Sequence, residues 1–357
     1  MTMRSTPPFL IVGQGLAGSL LAHGLDRLGA DFRVIDPGGA TPSASRAAAG
    51  LLNPYAGPRY KAPQPAEVWF RAAVSHWRLL EHRLTTPLLH LGTLYRLFRD
   101  SQERDRAMAR ARETVRPQIR VQAAPAAARL RAPLGCAAVE AGQVDLPAFV
   151  DATRHWLRQS DRLIEEAFNP EDMDADTTAR PQWRGHPIRA LVLCAGHRAR
   201  DWPWFHPLPW RMSHGQALIL ERTTGLGPHM LSRGKNLVPI DEQRAWFGAT
   251  YDRYSEPTRD EGGRNQLLEA LRDCFETAPD IRILEQVAGV RAGNREGLLF
   301  CGAHPTHPRL YLFGGLGSRG TLIAPPAATA LASHLVSGTP LPRRWSLAGY
   351  FAGDGKP

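Results

Sequence analysis

A glycine-rich turn near the start of the chain carries the strongest chemical signal in the sequence. It reads Gly13-Gln14-Gly15-Leu16-Ala17-Gly18, and an acidic residue, Asp36, follows about 20 residues later. In such a turn the first glycine allows a tight bend, the second lets the backbone approach a pyrophosphate, and the third lets a helix pack closely on a strand. Because a helix N-terminus attracts phosphates and a carboxylate accepts hydrogen bonds from ribose hydroxyls, the pattern predicts dinucleotide binding.

The sequence around this turn predicts the strand, helix and second strand that dinucleotide binding requires. Phe9–Val12 is apolar and β-compatible, residues 19–28 place leucines at helical spacing, and residues 32–36 form a second strand. Strand, turn, helix and strand within about 30 residues make a βαβ unit, although such a turn can also occur without a ligand. An acid at position 36 disfavours a 2′-phosphate, so FAD or NAD fits better than NADP. The residues alone do not choose between FAD and NAD.

A second glycine-rich turn lies near the other end of the chain. The apolar segment 310–313 runs into the turn 314–320, and a helix is predicted from about residue 325 to 335. Residues Ala66–Leu84 are predicted to form a helix that buries one stripe, consisting of Val68, Trp69, Ala72, Ala73, Trp77 and Leu80. Other helices are predicted within 102–120, 144–157 and 264–275, and other strands at 188–193, 217–220, 237–240 and 245–250. Segments 123–132 and 169–183 are predicted to be a connector and a surface loop.

Composition narrows the class of protein. The chain has 357 residues, of which 43% are hydrophobic and 22% charged, values that suit about two globular domains. It contains no apolar run of about 20 residues, so we predict no membrane span. The four cysteines, Cys136, Cys194, Cys274 and Cys301, lie far apart and lack C-x-x-C spacing, so we predict neither a metal site nor a dithiol motif. A reducing, cytoplasmic location is the expectation.

The net charge of +10 comes from 44 Lys+Arg against 34 Asp+Glu, and all but three of the basic residues are arginines. An acidic partner such as a nucleic acid would use this excess, whereas a GC-rich coding bias would scatter arginines over the surface. No run of five or six basic residues occurs, which favours the second interpretation. The same choice, between a phosphate-contacting face and a solvated helix, applies to the arginines of segment 102–120, which are Arg104, Arg106, Arg110, Arg112, Arg116 and Arg120.

Beyond the first turn, the chain resembles the D-amino acid oxidase superfamily of FAD proteins, in particular its glycine oxidase and sarcosine oxidase branch. The matching pieces include Ser45-Arg46-Ala47-Ala48-Ala49-Gly50-Leu51-Leu52, the segment Cys194-Ala195-Gly196 and the C-terminal turn. The resemblance implies that the first piece contacts the FAD pyrophosphate and flavin, and that the second closes over the adenosine half. It implies that the C-terminal turn faces the flavin pyrimidine through Gly315, Gly317, Ser318, Arg319, Gly320 and Thr321.

The resemblance also implies the fold. We expect an α/β protein with a Rossmann-type, GR2-like FAD-binding domain interleaved with a mixed-sheet α+β substrate domain. The FAD-binding domain would comprise residues 1–80, 140–205 and 285–357, and the substrate domain residues 81–139 and 206–284. FAD should be bound non-covalently, because Cys301 does not fall where some sarcosine oxidases carry their flavin-linked cysteine, which is nearer Val290.

A closer resemblance is to the oxidase domain of MnmC enzymes, which modify bacterial tRNA. It rests on GATYDRYSEPTRDE (residues 248–261) and GLGSRGTLIAPPAA (residues 315–328). That domain oxidises the N-substituted glycine of carboxymethylaminomethyl-uridine. Gly13 lies too near the N-terminus for the methyltransferase domain that MnmC usually carries, which leaves two alternatives open: a free-standing oxidase domain with the same substrate, or one that has drifted to another amine. In the segment MSHGQ (residues 212–216), His214 replaces the usual arginine of the superfamily; a structural role is favoured over contact with flavin or substrate.

Three residues are catalytic candidates. Arg291, in a segment resembling the family's carboxylate-binding strand, could hold a substrate carboxylate by two parallel hydrogen bonds; otherwise it is a surface arginine. Arg319 could assist the carboxylate or brace its loop, and Tyr251 could line the pocket or belong to the core.

Three functional hypotheses follow. The first is a small-molecule oxidase that breaks a carbon–nitrogen bond next to a carboxylate, with hydride passing to flavin N5, imine hydrolysis and formation of hydrogen peroxide from oxygen. The second is the same chemistry on tRNA, which then becomes a partner. The third is a flavoprotein without an amine substrate. The steps come from the family resemblance, in which the flavin carries the chemistry and the protein binds and orients.

Overall fold

The computed structural model describes residues 7–38, 43–55, 57, 59–61, 66–113, 119–126, 129–174, 181–222, 226–253, 256–277, 279–294 and 299–351. The fold is mixed α/β, as predicted, and the chain forms two compact units. The first unit comprises Met1–Thr41, Pro147–Met212 and Arg291–Pro357, and the second Pro42–Leu146 and Ser213–Val290.

Helices and strands largely alternate up to about residue 164, and strands predominate after that. The helices are α1 (Leu16–Arg27), α2 (Ala44–Ala47), α3 (Ala66–Leu84), α4 (Ser101–Glu113), α5 (Leu146–Gln159), α6 (Glu261–Arg272), α7 (Gly320–Ser337) and α8 (Ala348–Phe351). The strands are β1 (Phe9–Val12), β2 (Phe32–Ile35), β3 (Leu51–Leu52), β4 (Leu89–Leu97), β5 (Ile119–Gln122), β6 (Cys136–Val144), β7 (Leu163–Ile164), β8 (Met173–Asp174), β9 (Gln182–Trp183), β10 (His186–Pro187), β11 (Ala190–Leu193), β12 (Trp210–Glu221), β13 (Met230–Arg233), β14 (Lys235–Pro239), β15 (Arg244–Gly248), β16 (Asp252–Arg253), β17 (Ile283–Asn294), β18 (Phe300–Ala303) and β19 (Leu310–Gly314).

The first unit contains a six-stranded sheet in the order β18-β19-β11-β1-β2-β7. Its central strands run parallel, and β18 pairs antiparallel at one edge. Every residue of β1 and β11 is buried, as expected for parallel strands that are covered on both faces. Helices α1 and α7 pack against each other, and a Cβ added at Gly24 of α1 would lie 3.0 Å from the Cβ of Ala332.

The second unit is organised around a larger mixed sheet in the order β16-β12-β15-β14-β13-β4-β6-β3, in which β17 also pairs with β12 and β5 with β6. Most neighbours are antiparallel, whereas β13 and β4 are parallel. One apolar cluster includes Phe247 of the sheet with Leu267 and Leu271 of α6. A separate cluster joins Leu94, Ala141, Met230 and Val238 to Ala49 and Leu51.

Residues 42–80, predicted as part of the FAD-binding domain, cluster with the second unit. The reason is tertiary: β3 pairs with β6, and α3 packs against β4. The division of the chain into an FAD-binding and a substrate domain stays a prediction.

Helix α3 has the predicted bounds, but its predicted buried stripe was partly wrong. Ala73, Trp77 and Leu80 are buried, whereas Val68 is 60% exposed and Phe70 is buried instead. The stripe therefore lies further round the helix than the spacing of the apolar residues indicated.

Three other element predictions need correction. The helix predicted at 102–120 ends at Glu113, and Arg120 lies in strand β5, while Arg116 is outside the described residues. The helix predicted from about residue 325 begins at Gly320, with Pro325 and Pro326 inside it. Segment 169–183, predicted as a loop, contributes β8 and β9 to a small three-stranded sheet in its described part. Among the helices described, none is both long and apolar enough to cross a bilayer.

Candidate functional site

At two of the predicted positions in the turn between β1 and α1, there is no space for a residue larger than glycine. Gly13 has φ +99°, and a Cβ there would lie 2.7 Å from the Cys194 carbonyl oxygen. A Cβ at Gly18 would lie 1.8 Å from the carbonyl oxygen of Gly13. These distances are shorter than any real contact, so both the bend and the close packing of α1 depend on glycine.

Helix α1 begins with an N-terminus that suits an anion. Gly15 is its N-cap and contributes no side-chain cap, and the first turn, Leu16, Ala17 and Gly18 included, contains no acidic residue. The positive end of the helix dipole is therefore not offset within α1 itself. Such an N-terminus can bind a phosphate.

Asp36 directly follows β2 and reaches back to the turn, as the spacing predicted. Its Oδ2 accepts a hydrogen bond of 2.8 Å from the backbone amide of Gln14, and its Oδ1 accepts one of 2.8 Å from Gly38. Arg154 of α5 donates to Oδ1 over 2.9 Å. Sequence reasoning missed Arg154, because it is 118 residues from Asp36 and no local pattern marks it.

The segment Cys194-Ala195-Gly196 continues from β11 beside the same turn. The Cys194 amide donates to the Val12 carbonyl over 2.7 Å, and Gly196 begins a 3-10 helix that ends at Asp201. Burial raises the pKa of the Cys194 thiol, so it is a neutral, small apolar group. Burial also raises the pKa of Cys301, which lies in β18.

The C-terminal turn joins β19 to α7 and lies beside the strand that carries Arg291. Arg319 is the N-cap of α7, and burial lowers the pKa of its guanidinium. The Gly317 amide donates to the Ala292 carbonyl over 2.8 Å, so the turn is bonded to the residue after Arg291. The structure thus brings together the segments of the two predicted arginines. The other residues predicted here are Gly315 and Ser318 in the turn, and Gly320 and Thr321 in the first turn of α7.

In the second unit, the segment of residues 45–52, which is rich in small residues, forms most of α2, a short linker and β3. Ser45 and Arg46 lie in α2, Leu51 lies in β3, and Ala48, Ala49 and Gly50 connect them. Two hydrogen bonds hold this piece to the sheet: Trp246 Nε1 donates to the Ala47 carbonyl over 2.8 Å, and the Val144 amide donates to the Gly50 carbonyl over 2.9 Å.

Tyr251 is 60% exposed, so the interpretation as a core tyrosine was wrong. Tyr251 follows the buried Thr250, which makes two hydrogen bonds with Gln216. The Gln216 backbone amide donates to Thr250 Oγ1, and the Thr250 backbone amide donates to the Gln216 carbonyl, each over 3.0 Å. The Gln216 side chain in turn donates to Asp260 Oδ2 over 2.7 Å and accepts from Gln286 over 2.6 Å. This network fixes the backbone that presents Tyr251, and no spacing rule signalled it.

His214, on the same strand as Gln216, is buried. Its Nε2 lies 2.9 Å from the carbonyl oxygen of Thr258. This contact supports the structural role that the sequence favoured. Residues 254–255 of the motif at 248–261 lie outside the described residues.

A cavity of about 330 Å³ opens in the second unit, lined by β4, β6, β13 and the end of β14. Gln143, one of its lining residues, is 5% exposed, and within the described part of the chain its Oε1 has no hydrogen-bond donor. Leu51 lies directly opposite Gln143 in the β3–β6 ladder, so the two side chains share a face of the sheet. A group that donates a hydrogen bond would satisfy this buried carbonyl.

The arginines of α4 are only partly committed to ion pairs. Arg104 pairs with Asp105 over 3.5 Å and Arg110 with Glu113 over 2.7 Å, whereas Arg106 and Arg112 are exposed. These contacts fit a solvated helix and still leave positive charge on its surface.

Comparison with known proteins gives a consistent picture. The chain matches the DAO family, described as FAD dependent oxidoreductase, over residues 9–334. A glycine oxidase of Pseudomonas aeruginosa is 24% identical over 369 aligned positions, which cover 92% of this chain and 94% of that protein. The glycine oxidase structure from Geobacillus kaustophilus superposes with a TM-score of 0.83 at 19% identity, covering 96% of this chain and 98% of that one, which shows the shared fold.

A second relative is longer. The tRNA 5-methylaminomethyl-2-thiouridine biosynthesis bifunctional protein MnmC of Caulobacter sp. (strain K31) is 31% identical over 352 positions, covering 93% of this chain and 55% of that protein. The chain therefore spans about half the length of this relative. From the family match over most of its length, the chain belongs to the DAO family of FAD-dependent oxidoreductases.

Proposed function

We propose that this protein binds FAD non-covalently and oxidises the carbon–nitrogen bond of a small carboxylate-bearing amine, either an amino acid or an N-substituted glycine. Membership of the DAO family supports the cofactor, and the similarity to a glycine oxidase over nearly the whole of both chains supports the substrate class. The geometry described above supports particular residues for each role.

The first turn fits the nucleotide half of FAD by its own shape. The glycine cradle, the uncapped N-terminus of α1 and the Asp36 carboxylate offer a phosphate site and an acceptor for ribose hydroxyls. The cofactor-binding residues that we propose are Gly13, Gly15, Leu16, Ala17, Gly18, Asp36, Ser45, Arg46, Ala48, Ala49, Gly50, Leu51, Cys194, Ala195, Gly196, Gly315, Gly317, Ser318, Arg319, Gly320 and Thr321.

The burial of Cys194 and Cys301 supports the proposal of non-covalent binding. Burial raises the pKa of Cys194 and of Cys301, so neither thiol ionises near neutral pH to form a bond with the flavin. Acid precipitation of the protein should therefore release the flavin into the supernatant. Flavin that stays with the pellet would contradict this part of the proposal.

The observation that carries the substrate proposal is the bond between the Gly317 amide and the Ala292 carbonyl, because it sets the loop of Arg319 beside the strand of Arg291. Arg291 would hold the substrate carboxylate through two parallel hydrogen bonds, and the partly desolvated Arg319 would add positive charge. Tyr251 would line the pocket from the strand end that Gln216 fixes. These residues bind and orient the amine, and they need no acid–base pair of their own.

Bound FAD would accept the two electrons that are removed when the carbon–nitrogen bond of the substrate is oxidised. Overall, the amine is oxidised to an imine, water hydrolyses the imine to an oxo acid and a free amine, and oxygen is reduced to hydrogen peroxide.

The test is anaerobic flavin bleaching by glycine, sarcosine and a panel of D-amino acids, followed by steady-state kinetics of Arg291→Met. Loss of two charge-assisted hydrogen bonds should lower kcat/KM by about 100- to 10,000-fold. Arg282→Met is the matched control, since Arg282 is 73% exposed and pairs only at the surface with Glu221. A yellow protein that no amine bleaches, with identical spectra for both variants, would favour a flavoprotein without an amine substrate.

A second candidate substrate is the carboxymethylaminomethyl-uridine of tRNA. The observation that favours it is the 31% identity to MnmC, and the exposed Arg106 and Arg112 of α4 offer contacts for phosphates. Transfer RNA bearing this nucleoside joins the bleaching panel as a separate arm, with its binding measured at increasing salt concentration. Bleaching by the tRNA alone, with salt-sensitive binding, would replace the small-molecule proposal, whereas bleaching by a small amine alone would retain it.

A further inference from the structure

Arg154 links the two parts of the first turn that sequence motifs treat separately. Its side chain is only 10% exposed, and its Nη1 donates to Asp36 Oδ1 over 2.9 Å and to Gln14 Oε1 over 3.2 Å. Its Nη2 donates to the Asp36 carbonyl over 3.2 Å. A Cβ added at Gly38 would lie 2.4 Å from Nη2, so the guanidinium fills the space under the chain that follows β2.

The Asp36 carboxylate is nearly saturated by these donors. Its two oxygens offer about four lone-pair positions. Oδ1 accepts from Gly38 and from Arg154, and Oδ2 accepts from Gln14. Among the described residues, one position on Oδ2 therefore has no donor, and the side chain, 23% exposed, can be reached from solvent.

We propose that Arg154 is a positioning residue for the nucleotide ribose: it fixes the Asp36 carboxylate so that Oδ2 accepts a hydrogen bond from one ribose hydroxyl. The inference rests on the proposed binding of FAD and goes beyond it, because it assigns one hydroxyl to one oxygen atom. Without the guanidinium, Oδ1 regains an open position and the carboxylate can rotate.

The other contacts of Arg154 show that an ordinary ion pair does not account for it. Arg154 Nη2 also donates to Glu165 Oε2 over 2.8 Å, but Glu165 has Arg158 as a second partner at 2.6 and 2.7 Å. Glu165 would thus remain paired without Arg154. The side chain of Gln14 is itself held, because its Nε2 donates to Ser19 Oγ and to the Val150 carbonyl. Arg154 therefore joins a fixed glycine turn to a fixed acid.

The experiment uses the full chain, stripped of flavin, and calorimetric titration with FAD, ADP, 2′-deoxy-ADP and 3′-deoxy-ADP. For the wild type, one deoxy analogue should bind about as well as ADP and the other about 10-fold more weakly, the effect of one hydrogen bond to a charged group. Arg154→Met should weaken ADP by up to about 10-fold, which is the contribution of that hydrogen bond, and weaken the poorer deoxy analogue much less. Arg158→Met is the matched control, since Arg158 binds the same Glu165 from the same helix, and it should change each affinity less than about 3-fold.

Each outcome separates the two proposals. If Arg154→Met weakens ADP and both deoxy analogues equally, or not at all, the positioning role is overturned while FAD binding stands. If the wild type binds no FAD, the proposed function fails first. Arg154→Lys keeps the charge but not the forked geometry, so it should restore neither the affinity for ADP nor the discrimination between the analogues. Equal loss on both deoxy analogues in the wild type would overturn the proposal even if no variant folds.

Discussion

The first unit contains two strand–turn–helix segments with similar backbones and opposite side-chain chemistry. The β1–α1 turn is crowded, and its acid, Asp36, is held by the Gln14 amide. In the β19–α7 turn a Cβ at Gly317 would meet nothing within 4 Å, whereas one at Gly315 would lie 2.7 Å from the Phe300 ring, and an arginine, Arg319, is the N-cap residue of α7. The comparison shows that one supersecondary motif can carry opposite charges beside its helix N-terminus, so the proposed ligands of the two turns differ: ribose hydroxyls at the first and a carboxylate at the second.

The largest expected effect tests how much room each of the two turns has for a Cβ atom. In Gly18→Ala the new Cβ would lie 1.8 Å from a backbone oxygen, so α1 must move, and FAD affinity should fall by at least about 100-fold. In Gly317→Ala only the φ of +56° is strained, which costs about 1–2 kcal/mol of stability. Flavin content and thermal unfolding of both variants test this, and equal loss of flavin in the two would break the comparison.

The next effect separates the turns by charge. Arg319→Met should lower kcat/KM for carboxylate-bearing amines by about 10- to 100-fold, since one charge-assisted contact is lost. FAD affinity should change less than this. Arg309→Met, an exposed arginine next to β19, is the control and should leave the kinetics unaltered. An equal effect of Arg319→Met on an uncharged amine substrate would point to loop bracing instead.

A smaller effect tests whether the two segments are mechanically joined. Gly24 of α1 lies against Ala332 of α7, and a Cβ there is already at 3.0 Å from its neighbour. Gly24→Val should lower the free energy of unfolding by about 1–3 kcal/mol through overpacking. Arg27→Val puts the same side chain on an exposed position of α1 and serves as control. Chemical denaturation measures both, and no difference between them would show that the contact is loose.

The smallest effect concerns pH at the first turn. Hydrogen bonds from Arg158 and Arg154 lower the pKa of Glu165 to about 2. A carboxyl whose pKa is lower in the folded than in the unfolded chain stabilises the fold above its unfolded pKa, near 4.3, and loses that contribution as pH falls through about 2. FAD retention should therefore stay level from pH 8 to about pH 5 as far as Glu165 is concerned. Equilibrium dialysis of the wild type and Glu165→Gln checks this, and a midpoint near pH 5 that disappears in the variant would contradict it.

The two turns also differ in how well the sequence predicted them. Around the first, β1, α1, β2 and Asp36 all lie within the first 36 residues of the chain. Each was predicted from hydrophobic periodicity or from the spacing of residues close together in the sequence. Around the second, the helix was predicted to start at about residue 325, yet α7 starts at Gly320 and contains Pro325 and Pro326. Proline removes an amide donor from the helix, but packing of α7 on α1 stabilises the helix in spite of it.

Burial was predicted less well than helix position. The bounds of α3 were correct because its length and helix-forming residues are local properties. Whether Val68 or Phe70 faces the core depends on which part of the second unit covers the helix, and only the fold decides that. The same holds for Arg120, which lies in β5 because a partner strand, β6, is present to receive its backbone hydrogen bonds.

The sequence by itself determined the glycine-rich turn, the position of its acid, the FAD-dependent family and most of the helices, because these depend on glycine geometry, short spacings and motifs carried by contiguous residues. Tertiary structure alone decided three pairings. Arg154 donates a hydrogen bond to Asp36, Gln216 bonds to Thr250 just before Tyr251, and Leu51 pairs with Gln143 across two strands. These pairs join residues 34 to 118 positions apart, across strand ladders and helix–loop contacts. Their partners are selected by burial and register once the chain has folded, and no periodicity in the sequence records that selection.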